Sequence, residues 1–157
     1  MNPKLPLCLA LVLSGELAAF SSSAADMNSL RVVVIPSKSD VRAGEHLNLA
    51  LRVENPTTTN QYVRVWSCSW PQNWQISNPR TIRPDIVDIC EFNPPITEKI
   101  PAGGSIRLDL EVIVSKPISL IEPGTRKLSF QMGFTPIDSK KTFWSDVVKI
   151  NILPPDK

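Results

Sequence analysis

The residues able to do covalent chemistry are few, and their spacing does not assemble a familiar reaction centre. The chain holds one histidine, His46. A hydrolytic triad needs that ring beside an activated serine and a carboxylate in a recognisable turn. The one Gly-Gly-Ser, at residues 103–105, reads as turn chemistry instead. Carboxylates pair along the sequence as Asp85 with Asp88 and as Asp109 with Glu111. Asp109 and Glu111 fall on the outward face of a strand beside Arg107, whereas Asp85 and Asp88 sit in a loop with too few oxygen ligands for calcium. One histidine and no C-x-x-C spacing exclude a His- or Cys-rich metal site. The sequence therefore predicts no catalytic residue, no metal and no cofactor. It has no phosphate-binding glycine loop, and Asn55 is no glycan acceptor because Pro56 follows it.

Two cysteines and a cluster of rings remain. Cys68 lies in QYVRVWSCSWPQNW, residues 61–74, which holds three of the four tryptophans and the only tyrosine. Cys90 follows in a proline-rich stretch. The third cysteine, Cys8, belongs to a leader. Residues 1–25 have Lys4 near the start, an apolar run from Leu5 to Leu13, and small residues from Ser21 to Ala25, the layout of a secretory signal peptide cleaved after Ala25. Gly15 and Glu16 interrupt the run well short of the roughly 20 apolar residues a membrane span needs. The mature chain, residues 26–157, is thus expected as a single exported domain, periplasmic or extracellular, with no membrane span. In such a compartment Cys68 and Cys90 are expected to form a disulfide. Closing that loop stabilises by about 3 kcal/mol in the chain-entropy picture.

The elements that position these groups read as strands. A net charge of +2 over 157 residues, with the basic residues spread out, argues against nucleic acid as a partner. Leu30 to Ile35 is a short apolar run. Leu47, Leu49, Leu51 and Val53 alternate with polar neighbours, as do Ile106 through Val114 and Leu128 through Phe134. A last strand is expected from Trp144 to Ile152. The turn residues NPTTTN, 55–60, are expected to join the Leu47 strand to the Tyr62 strand as a hairpin. In the latter, Val63 and Val65 point one way and Tyr62, Arg64 and Trp66 the other. The expected fold is all-β: an antiparallel two-sheet immunoglobulin-like sandwich of about seven strands.

Residues 71–95 break the alternation with five prolines and three asparagines. Such an excursion is expected to be functional or to hide short strands, here near Gln75 and from Ile86 to Phe92. Pinned by Cys90, it would cover the Trp66 face and present Trp70, Trp74, Arg80 and Arg83 to a partner.

LALRVEN at 49–55, PAGGS at 101–105 and PGT at 123–125 resemble the framework of small bacterial immunoglobulin-like domains of the intracellular proteinase inhibitor type. The resemblance implies a non-enzymatic module that binds proteases or other proteins. Val53-Glu54-Asn55-Pro56 followed by Tyr62 to Trp66 is similar to a hairpin in the first domain of periplasmic pilus chaperones. The expected function is accordingly an exported, non-enzymatic protein-binding or assembly module. A protease inhibitor acting through the 71–95 loop is one alternative. A polysaccharide-binding module using Trp70 and Trp74 is the other, since both rings could stack on sugars.

Mass spectrometry of the mature protein is expected to find no free thiol and a cross-linked peptide joining Cys68 to Cys90. Two free thiols in protein taken from its native compartment would refute the bridge.

Overall fold

Strict alternation produces the central pair of strands. In β3 (His46–Glu54) the odd-numbered Leu47, Leu49, Leu51 and Val53 are fully buried. In β8 (Ser105–Val114) Leu110, Val112 and Val114 are their counterparts. The two strands pair antiparallel, Leu49 opposite Leu110 and Leu47 opposite Val112, so both apolar sets share one face. β1 (Arg31–Pro36) joins the other side of β3, and β6 (Ile82–Pro84) the other side of β8, giving the order β1-β3-β8-β6. The computed structural model describes residues 29–68, 70–85, 92–115 and 126–154. The leader expected at 1–25 lies outside them.

Three smaller sheets pack against this one. β4 (Gln61–Trp66) pairs with β7 (Pro95–Ile100). β12 (Val148–Leu153) lies between β9 (Arg126–Phe130) and β2 (Asp40–Arg42), the latter parallel to it. β10 (Met132–Phe134) lies between β11 (Phe143–Trp144) and β5 (Trp74–Ile76). Val63, Val65, Phe130, Met132, Phe134 and Ile150 meet the leucines of β3 in one core. The fold is an all-β sandwich, antiparallel except for β2 with β12. Among the described residues there is no α-helix, and no helix is long and apolar enough to cross a membrane.

The strands differ from expectation in number and in partners. Twelve segments replace about seven among the described residues, because long alternating runs change partner midway. Leu128 to Phe134 divides at Gln131: β9 pairs with β12, while β10 turns to β11 and β5. Residues 144–152 divide in the same way between β11 and β12. The excursion does hold a strand at Gln75. Its second described strand is β6, while residues 86–91 lie outside the described chain. β7 was not expected at all. The NPTTTN hairpin is overturned: β4 pairs with β7 and not with β3, so residues 55–60 cross between the layers.

The side chain of Asn55 explains this crossing. It is 1% exposed. Its Nδ2 donates to the carbonyls of Thr59 at 2.7 Å, Ile100 at 3.1 Å and Pro101 at 3.0 Å. Its Oδ1 accepts from the Thr57 amide and hydroxyl. The Asn55 amide donates to Gly104, and the Gly103 amide to Thr57. One amide thus joins the β3–β4 crossing to the β7–β8 crossing, where Gly103 takes a φ of +65° that favours glycine. Replacing Asn55 with alanine strands the buried Ile100 carbonyl and the part-buried carbonyls of Thr59 and Pro101, and chemical denaturation is expected to show a loss of about 2–4 kcal/mol. A loss under about 0.5 kcal/mol would show that water replaces the amide without penalty.

Candidate functional site

The residues expected to face a partner do not share one surface. Residues Trp70–Asn73 form a 3-10 turn that leads directly into β5. The Asn73 side chain is buried, accepting from the Trp66 amide at 3.1 Å and donating to the Thr135 carbonyl at 2.9 Å. The Thr135 amide returns a bond of 2.8 Å to the Asn73 carbonyl. Asn73 therefore stitches the turn between β4 and the end of β10. This rotates the next residue, Trp74, into the core, where it is 6% exposed and its ring lies 5.2 Å from that of Phe134. Trp74 is a packing residue and is not available to a partner. Arg80 and Arg83 are exposed, as expected, on the turn before β6 and on β6 itself. Trp70 opens the 3-10 turn.

On the Trp66 face of β4, Tyr62 and Arg64 are open, and residues 86–91 of the segment expected to cover it lie outside the described residues. Tyr62 is 54% exposed, and Arg64 lies on the surface in a two-pronged pair with Asp138 at 3.1 and 3.2 Å. Trp66 is half-buried. The segment returning at residue 92 is laid along residues 67–68: Asn93 Oδ1 accepts from the Cys68 amide at 3.2 Å, and the Pro94 carbonyl from the Ser67 amide at 3.1 Å. Cys68 is a half-cystine. Cys90, the partner expected for it, lies outside the described residues.

Two features emerge that the sequence reading did not join. The first is His46 with Asp85 and Glu111. His46 Nδ1 lies 3.4 Å from Asp85 Oδ2 and 3.3 Å from Glu111 Oε1 on the outer face of the four-stranded sheet. Next to it, Glu45 is held below the ordinary glutamate range by the Lys38 ammonium, which donates to it, and by the Arg42 amide. These three residues are remote in sequence, and only the pairing of β3, β8 and β6 joins them.

The second feature is the free side of β1. β1 ends its sheet and pairs with β3 alone among the described strands. Ser37 donates to the Asn48 carbonyl, which sets the alternation. Residues 31, 33 and 35 therefore direct their backbone groups to β3, and Val32, Val34 and Pro36 direct theirs outward. Pro36 has no amide hydrogen to offer. Outward of this edge lies a groove of about 290 Å³ whose far wall is Asp146, Val147, Val148 and Lys149. Val147 at 54%, Ile35 at 48% and Trp144 at 45% are among the exposed large apolar side chains; Val147 lines the groove, Ile35 lies on β1 between two lining residues, and Trp144 belongs to β11, which neighbours β1. Arg31 reaches across the groove to Asp146 at 3.7 Å. The Trp144 ring rests on Gly133, where a Cβ would fall 2.9 Å from Cε3 and 2.6 Å from Thr142 Cγ2. The tryptophan is thus seated on bare backbone rather than free to swing.

No protein-family model matches the chain, and no curated protein matches it. Among solved structures it is similar to Spo0M, a sporulation control protein from Bacillus subtilis, with a TM-score of 0.44 and 14% identity over 82% of this chain and 50% of that one. It is also similar to the Pseudomonas fluorescens alkylpurine DNA glycosylase AlkC, in a complex with DNA containing an abasic site analog, with a TM-score of 0.40 and 10% identity over 79% of this chain and 30% of that one. The chain spans half or less of each of these structures. Neither likeness bears on function.

Trp74→Ala is expected to lower stability by about 3–5 kcal/mol, through the cavity beside Phe134. Arg80→Ala and Arg83→Ala should each stay within about 0.5 kcal/mol of the parent. Thermal denaturation followed by circular dichroism distinguishes these outcomes. An unchanged midpoint for the tryptophan variant would contradict its place in the core.

Proposed function

We propose that the protein is an exported, non-enzymatic binding or assembly module of immunoglobulin-like fold that receives another protein along the open edge of β1. The observation that carries this reading is the coincidence of the outward-directed backbone groups of half-buried Val34 with the exposed Ile35 on β1, Val147 on the far groove wall and Trp144 on the neighbouring β11. Backbone groups supply affinity to an added strand, and flanking apolar side chains supply specificity. A tryptophan held on Gly133 is already ordered, so little side-chain entropy is lost when a partner covers it.

Export is supported by the leader-like residues 1–25 and by Cys68 as a half-cystine, which suits an oxidising compartment. Cys90 is the partner we assign to Cys68, because Cys8 leaves with the leader. The carbohydrate reading loses one of its two rings, since Trp74 is buried. The inhibitor reading loses part of its loop, since β5 and β6 build residues 74–76 and 82–84 into two sheets. Among the described residues of that segment, Arg80, Arg83 and Phe92 stay exposed.

A photoreactive amino acid placed at Val147, in protein expressed in its native host, is expected to form a discrete protein adduct on irradiation. The same probe at Arg80 is expected to form none. Ile35→Lys with Val147→Asp should weaken recovery of that partner at least about 10-fold while leaving the fold intact. Adducts from Arg80 alone, together with inhibition of a protease in a panel assay, would overturn the edge in favour of the 71–95 segment. Retention on polysaccharide without any protein adduct would overturn it in favour of sugar binding.

A further inference from the structure

We propose that His46, Asp85 and Glu111 form a surface site for a divalent transition-metal ion of the zinc class, with a fourth position open to water or a partner's side chain. β3 and β8 supply one donor each, and the residue directly after β6 supplies the third. His46 opens β3 opposite Ile113 of β8, which makes Glu111, two residues away on the same face, its diagonal neighbour. Pro84 of β6 lies opposite Val112, so Asp85 comes next to Glu111, and the Asp85 amide donates to the Glu111 carbonyl at 2.9 Å. The start of β3 is equally fixed. The Gly44 amide donates to the Val114 carbonyl at 2.7 Å, and the Val114 amide to the Glu45 carbonyl at 3.1 Å. Two donors are therefore carried on paired strands and the third is held by a backbone bond to one of them, which favours precise ligand placement.

The separations fit a tetrahedral ion. Zinc bonds to imidazole nitrogen and carboxylate oxygen are roughly 2.0–2.1 Å long, so two ligands on one tetrahedron stand about 3.3–3.4 Å apart. His46 Nδ1 lies 3.4 Å from Asp85 Oδ2 and 3.3 Å from Glu111 Oε1. The three ligating atoms all fall within 4.8 Å of one another, so closing the remaining edge needs only rotation of a carboxylate. Charge argues the same way. A single imidazolium can balance one of the two carboxylates crowded against it, whereas a divalent cation balances both. To bind the ion Nδ1 must carry no hydrogen, and the neutral ring then keeps its hydrogen on Nε2.

The donor set selects among ions. Calcium takes six to eight oxygen ligands and magnesium prefers an oxygen octahedron, so an imidazole with two carboxylates is poorly matched to either. The side chains are 49%, 33% and 48% exposed for His46, Asp85 and Glu111, which leaves the ion reachable and one position uncovered. Three protein ligands with an open fourth position is an arrangement suited to exchange or to bridging, more than to a closed structural site. Arg83 stands opposite Ile113 on this face and adds positive charge nearby, which opposes cation binding. An ion here would fasten β6 to β3 across β8.

The test uses the mature chain without a histidine tag, stripped of metal and titrated with Zn2+ by calorimetry and with Co2+ by visible absorption. One ion per chain is expected, with the intense visible bands of four-coordinate Co2+. Zn2+ should raise the melting temperature by about 5 °C, reversibly with chelator. His46→Ala removes the chain's only imidazole, and Glu111→Gln keeps side-chain shape while removing a charge. Each should weaken Zn2+ binding by more than about 10-fold, with melting of the metal-free protein unchanged. Absence of Zn2+ binding would overturn the proposal, as would Zn2+ binding that both variants retain at parental strength. An octahedral Co2+ spectrum would overturn the four-coordinate geometry.

Discussion

The fold depends on a single amide, that of Asn55. A two-layer sandwich needs its chain to pass from one layer to the other, and each passage exposes backbone groups that no sheet ladder can satisfy. Here the passages from β3 to β4 and from β7 to β8 lie side by side, and both turn around the Asn55 side chain. With those carbonyls met inside the protein, β3 and β8 can bury their leucines and valines against β4 and its neighbours. Asn73 repeats the principle on a smaller scale, joining β4 to β10 through one side-chain amide. Both asparagines are 4% exposed or less. Buried amides of this kind are selective as well as stabilising, because they accept few other arrangements of the chain around them.

Much of the architecture was legible where burial is one-sided. β3 and β8 alternate strongly apolar and polar side chains, and the structure pairs them with those faces aligned. β7 was not legible for the complementary reason. Only Ile100 is fully buried in it, while Ile96 and Glu98 are half-buried, so its period is faint. Strand partners were misjudged at residues 55–60 because turn-forming residues suit a crossing as well as a hairpin. Asn55 decides between the two through contacts 45 and 46 residues away. Trp74 looked exposed because polar residues and prolines surround it. Its burial comes from the long-range bonds of Asn73, which no local window contains.

The candidate surfaces were harder still to read. His46, Asp85 and Glu111 are ordinary residues one by one, and their meeting depends on two strand registers at once. The open side of β1 depends on which strand lies beyond it, again a matter of sheet order. In contrast, Arg80 and Arg83 were correctly placed on the surface, since charged side chains next to turns seldom go anywhere else. The two surfaces stand on opposite edges of the four-stranded sheet, one along β1 and the other reaching β6. An event at one need not disturb the other.

The proline at the end of β1 also bears on self-association. An uncapped strand edge invites copies of the same chain to pair without limit, and natural sheets interrupt such edges to prevent it. Here Val32 is buried, so the outward side presents the amide hydrogen of half-buried Val34 and then Pro36, which has none. A visiting strand finds a short, directional landing and no means of extending past it. The same short edge that leaves room for a guest thus withholds the continuous ladder on which fibrils grow.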